Sequence, residues 1–247
     1  MTAVTREATT NTNKTTARLV GALCLVTTVT YIFGSGLLES TPNAPDDLLR
    51  VYSNRTQVVI GVLLFIDAAV VAAIGMMLFP FLKKQNEAVV LGYVGTRITE
   101  CLLLLVAGIS SLSLITLSQG YGQAGAEDAP YLQVLSSLVV AQSGLTFEIA
   151  IIALGLGSMP FCYLLYRIRL IPRPMAALGL VGYAARLAGG SAKLLGPDLQ
   201  MIHHLPGGLF ELMFPVWLFV KEFDLSATAA GFAKPGVSKR QRSSPAA

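Results

Sequence analysis

Apolar runs separated by short polar stretches dominate this chain, and each run is close to the ~20 residues that a helix needs to cross a ~30 Å hydrocarbon core. Six can be marked off, over residues 17–38, 57–82, 87–117, 143–166, 174–195 and 203–223. The stretches between them carry turn formers: Pro42, Asn43 and Pro45 after the first run, Gly120, Gly122 and Gly125 after the third, and Gly196, Pro197 and Asp198 after the fifth. Asp46 to Leu49 reads as a short surface helix in the first of these connections. Tyr131, Val134, Leu135, Leu138 and Val139 recur at helical spacing and are expected to lie flat at an interface. A single helix from Tyr131 to Arg167 would be about 55 Å long, more than one crossing needs, so a break is expected near Gly144.

Residues 1–16 lack apolar periodicity and residues 225–247 mix Ser and Pro with Lys234, Lys239, Arg240 and Arg242; both are expected to be disordered cytoplasmic tails. The expected architecture is therefore all-α, a six-helix transmembrane bundle over residues 17–224 with both termini cytoplasmic. Its orientation rests on charge. The N-terminal segment, the Lys83-Lys84 turn, the Arg167, Arg169 and Arg173 turn and the C-terminal segment hold most of the basic residues. The opposite face holds only Arg50, Arg55 and Lys193, and basic loops stay in the cytoplasm.

Composition sharpens this picture. The chain is 53% hydrophobic and 13% charged with a mean hydropathy of +0.63, far too apolar for a soluble domain and a poor match to nucleic-acid binding. The expected partner is the lipid bilayer. Cys24, Cys101 and Cys162 lie inside apolar runs without ligand spacing, so neither a disulfide framework nor a metal site is suggested. His203 and His204 are adjacent, which on a helix turns their rings about 100° apart instead of converging on a metal.

The chemistry lies in the ionisable residues inside the runs. Asp67, Arg97, Glu100, Glu148, Arg186 and Glu211 each cost at least a few kcal/mol in the bilayer unless paired or hydrated. Counting along the helices puts Glu148, Glu211, Arg186 and Asp67 roughly 8, 12, 13 and 15 Å below the outer edge, a shared polar layer and the candidate binding site. Arg186 is expected to pair with Asp67 or Glu211, because a guanidinium satisfies a carboxylate with two bonds. Arg97 and Glu100, three residues apart, form a secondary pair on one helical face. Gly179, Gly182, Arg186, Gly189 and Lys193 share a nearly bare stripe, read as a close helix contact in preference to a ligand groove. No hydrolase, nucleotide or zinc-protease motif is present, and no cofactor is expected.

Leu154-Gly155-Leu156-Gly157, Tyr163 to Arg167, Leu170-Ile171-Pro172-Arg173, Gly179 to Gly182, Phe210-Glu211-Leu212 and Trp217 to Lys221 carry a likeness. On these residues the chain resembles a bacterial integral-membrane family described only as a domain of unknown function, DUF4386. Pro174 and Glu222 depart from its pattern. The resemblance implies a six-helix domain in a bacterial cytoplasmic membrane and implies no reaction. The leading functional expectation is binding or transport of a small solute or proton through the polar layer. A membrane-embedded enzyme acting on lipid or isoprenoid substrates, and a non-catalytic sensor or partner protein using the basic tail, are the alternatives. The sequence is silent on oligomeric state.

Overall fold

The structure, a computed structural model, describes residues 3–39, 56–123, 128–196 and 200–221. Those residues are all-α: α1 (Ala3–Glu39), α2 (Thr56–Leu82), α3 (Glu87–Gln123), α4 (Ala129–Ile168), α5 (Arg173–Leu195), a 3-10 turn (Gln200–His204) and α6 (Leu205–Lys221). The short helix expected at Asp46 and the C-terminal tail lie outside the described residues.

Each helix packs on the helix before and after it, and α6 returns to α1, so the chain closes into a ring. Contacts across each pair give the direction. Gly61 meets Leu112 while Gly75 meets Arg97, and Gly155 meets Leu187 while Gly190 meets Ile152, so these neighbours are antiparallel. Ile60, Ile74, Leu104, Ile151, Leu165 and Leu218 fill the ring, and Leu91, Leu102, Ile109 and Val216 on its outside are more than half exposed. A surface this apolar is suited to lipid. Four segments are long and apolar enough to cross a membrane: Thr15–Gly34, Thr56–Leu82, Glu87–Tyr121 and Pro130–Ile168. Of the other two helices, α6 has 17 described residues and α5 carries Arg173, Arg186 and Lys193 among small residues.

Three expectations need correction. The break near Gly144 is absent, because α4 runs unbroken through 40 residues. A glycine only weakens a helix, and here α3 supports the long partner. Ser143 Oγ donates to the Ala107 carbonyl at 3.1 Å and lies 3.2 Å from Ser111 Oγ. Further along, Gln133 Nε2 donates to Tyr121 Oη at 3.0 Å. The third helix accordingly continues past Leu117 to Gln123, and the expected interfacial segment at Tyr131 is simply the first turns of α4. The segment expected as an N-terminal tail is helical from Ala3 onward, continuous with the first apolar run.

The turn between α4 and α5 is built by Arg169, which ends α4 in a left-handed conformation (φ 56°) with its N–H on the Leu165 carbonyl. Pro172 then precedes α5. The bare stripe of α5 proves to be a packing surface. A Cβ on Gly182 would lie 2.5 Å from the backbone of Gly207 on α6, and one on Gly179 would meet Cys162 and Phe210.

Backbone cannot retreat as a flexible side chain can. Gly182→Ala should therefore destabilise the protein by about 1–3 kcal/mol, as overpacking does, whereas Gly92→Ala, where a Cβ meets nothing within 4 Å, should melt like the wild type. Thermal melts of the two variants in one detergent check this; equal losses would contradict the packing.

Candidate functional site

Within the ring lies a cavity of about 50 Å³ that takes lining from all six helices. Its polar lining comes chiefly from Asp67 on α2, Arg97 and Glu100 on α3, Arg186 on α5 and Glu211 on α6. Three of the four layer residues therefore converge, and the secondary pair Arg97 and Glu100 joins them. Glu148 does not line this cavity. Its Oε1 accepts from Lys193 Nζ at 2.5 Å on the flank between α4 and α5.

Arg186 is the most enclosed charge, 1% exposed. Its Nη1 and Nη2 donate to Glu211 Oε1 and Oε2 at 2.6 and 2.9 Å, a two-bond pair from α5 to α6. This is one of the two pairings open from sequence, and the reason is register. The glycine contacts that press α5 against α6 leave Arg186 abutting Gly207, one turn before Glu211. Tyr183 Oη also donates to Glu211 Oε1, at 3.2 Å, and the Tyr31 ring lies 5.2 Å from the guanidinium carbon, within cation–π reach.

A second group of the same composition lies further along. Arg97 Nη1 donates to Glu100 Oε2 at 2.8 Å, Arg97 Nε donates to Tyr93 Oη at 3.0 Å, and the Tyr93 ring lies 5.2 Å from the guanidinium carbon. The two tyrosines mark opposite ends of the cavity. Tyr31 stacks on Phe147 and Tyr93 on Phe161, and those phenylalanines stand 14 residues apart on α4, about 21 Å at 1.5 Å per residue.

Asp67 differs from the other acids. It is 4% exposed, is in no ion pair among the described residues, and accepts one hydrogen bond, from Thr30 Oγ1 at 3.0 Å. Three carboxyls and two guanidinium groups thus line one cavity, leaving one carboxylate in excess when all are ionised. Ser158 Oγ, also in the lining, is buried without a protein partner. A polar cavity of this size suits a few water molecules or a small ion. Among the described residues no group of three or more His, Cys, Asp or Glu could hold a metal.

Several contributors were not singled out from sequence. Thr30 and Tyr31 belong to a first run that contains no acid and read there as ordinary apolar-helix residues. Tyr183 sits three residues before Arg186, a spacing that would have placed it on the same face.

These features define an all-α protein with membrane-length apolar helices and a charged cavity between them. The chain belongs to the family described as Domain of unknown function (DUF4386), which matches residues 19–221. No curated protein and no solved structure matches it.

The Arg186–Glu211 pair is open to a direct test. Removing one partner of a buried pair leaves an uncompensated charge and costs about 3–5 kcal/mol. Arg186→Gln and Glu211→Gln should each lower the melting temperature sharply, and the double variant should lose clearly less than the sum. Additive losses would mean that the two side chains are not coupled.

Proposed function

We propose that this protein is a six-span membrane protein that binds and exchanges a proton at Asp67, within the cavity shared with Arg97, Glu100, Arg186 and Glu211. In this reading α5 and α6 also cross the bilayer. Both termini face the cytoplasm of a bacterial cell, in its inner membrane, since the basic turns at Lys83-Lys84 and Arg167 to Arg173 lie at the end where basic loops are retained.

The observation that carries the reading is the unpaired Asp67 beside Thr30. An isolated carboxylate is too costly to bury, so the charge excess calls for a compensating cation, and a proton is the smallest. Thr30 suits both states. Its hydroxyl donates to an ionised Asp67 at 3.0 Å, and it also has the Val26 and Thr27 carbonyls within 3.0 and 3.1 Å. When Asp67 is protonated, its O–H can donate to Thr30 Oγ1 while the threonine proton turns to a carbonyl. The proton is favoured over a larger solute because the cavity measures about 50 Å³.

Infrared difference spectra between acid and alkaline samples in lipid nanodiscs test this. A protonated-carboxyl band should appear in the wild type and in Glu148→Gln and be missing in Asp67→Asn. A band unchanged by Asp67→Asn, or a response to sodium with no carboxyl band, would overturn it.

A further inference from the structure

Beside the Tyr31 end of the cavity lies a group of side chains that proton binding at Asp67 leaves unexplained. His203 is 6% exposed, yet neither Nδ1 nor Nε2 has a hydrogen-bond partner among the described residues. Buried imidazoles are seldom left so, because each unmet nitrogen costs free energy. The fold makes deliberate room for this one. A Cβ on Gly189 would lie 2.3 Å from the His203 ring, so glycine at that position of α5 is what admits it. The His203 and His204 ring centroids are 3.9 Å apart. His204 Nδ1 and Tyr31 Oη are hydrogen-bonded at 3.0 Å, and Tyr31 lines the cavity. Tyr31 is also the neighbour in sequence of Thr30, the residue that holds Asp67.

The geometry points to His204 and Tyr31, joined by a hydrogen bond, as the proton port of the cavity, with His203 packed ring to ring against His204; this port delivers protons to Asp67 from the histidine end. This rests on the reading of Asp67 as the proton-binding group. A proton gained by the histidine pair and held on His204 Nδ1 donates to Tyr31 Oη. Transfer breaks that N–H bond and forms an O–H bond on Tyr31, whose own proton passes to water in the cavity that Tyr31 and Asp67 both line, and that water gives up a proton to Asp67. The last bond formed is O–H on the Asp67 carboxylate, which becomes neutral, while His204 returns to neutral imidazole and Tyr31 to the phenol. Imidazole suits the first step because it exchanges protons near neutral pH and can donate from one nitrogen while accepting at the other. The charged and titratable groups on the packed elements are Tyr31 on α1, Glu148 on α4, Arg186 and Lys193 on α5 and Glu211 on α6. The acids among them are paired with Arg186 and Lys193.

Among the described residues the opposite end has no equivalent. Tyr93 is hydrogen-bonded to Arg97, which is permanently charged and cannot release a proton. Tyr93 also stacks on Phe161 with centroids 4.1 Å apart.

Rapid-scan infrared after a pH jump, following the Asp67 carboxyl band of the protein in nanodiscs, separates rate from equilibrium. His204→Gln keeps a hydrogen-bonding group beside Tyr31, and Tyr31→Phe keeps the ring over Arg186. Each should slow the rise of the band at least about tenfold, the low end of what a positioned proton-transfer group contributes, with its final amplitude kept. His203→Gln should slow it in the same direction, and added imidazole should restore speed in His204→Ala. Thermal melts confirm that each variant is folded. Rates within twofold of wild type in both His204→Gln and Tyr31→Phe, with the band still titrating, would overturn the port and leave the Asp67 reading standing. A wild type without an Asp67 band would remove both.

Discussion

The guanidinium of Arg186 has to be neutralised inside a ring of apolar helices, and most of the polar interior is arranged around that requirement. With 1% of its surface exposed it can draw little on solvent, so its charge is met by both oxygens of Glu211 and by the faces of Tyr31 and Tyr183. The pair needs α5 and α6 in close contact, which is why Gly182 and Gly207 lie backbone to backbone within the same turns. In turn α6 brings the ring back to α1, where the hydroxyl of Thr28 and the carbonyl of Glu211 lie 3.5 Å apart. Helix packing and charge compensation are one constraint here, since a shift of α6 by one residue would separate both the glycines and the ion pair.

Buried ion pairs contribute little net stability against a well-packed apolar alternative. Two arginines and three carboxyls in so small a space are therefore poorly explained as a means of holding the helices together. Ordinary packing already does that through Ile60, Leu104, Ile151, Leu165 and their neighbours. What the charges add is a polar cavity in an apolar ring, with Ser158 Oγ left without a protein partner in its wall.

Much of this was legible in the sequence because its signals are local. Run length marked the helices, and the three-residue spacing of Arg97 and Glu100 gave their pair. The small residues at 179, 182 and 189 announced a close contact. What escaped depended on partners distant in the chain. Lys193 counts in sequence only towards the charge of one face and a stripe on α5, until α5 is seen to set it against Glu148 of α4 and take that acid out of the central layer. The length of α4 was misjudged because a crossing was treated as an upper limit, whereas α3 extends beside it. In sequence His203 was only one of two adjacent rings that do not converge on a metal, and only the packing of Gly189 shows that its ring is buried.

The two Tyr–Arg–Glu groups give the cavity similar chemistry at its ends, so direction must come from what differs between them. At the Tyr93 end the hydroxyl is fixed by Arg97, which is always a donor. At the Tyr31 end it is bonded to His204, a ring whose nitrogen can be donor or acceptor. The aromatic closures differ in the same sense, with centroids 4.1 Å apart for Tyr93 and Phe161 and 5.8 Å for Tyr31 and Phe147. Asp67 accepts from Thr30, the residue before Tyr31. On the proposed reading, a cavity closed by a fixed donor on one side and by an amphoteric ring on the other exchanges protons with one side faster than with the other. The asymmetry follows from arginine and histidine chemistry without any movement of the helices.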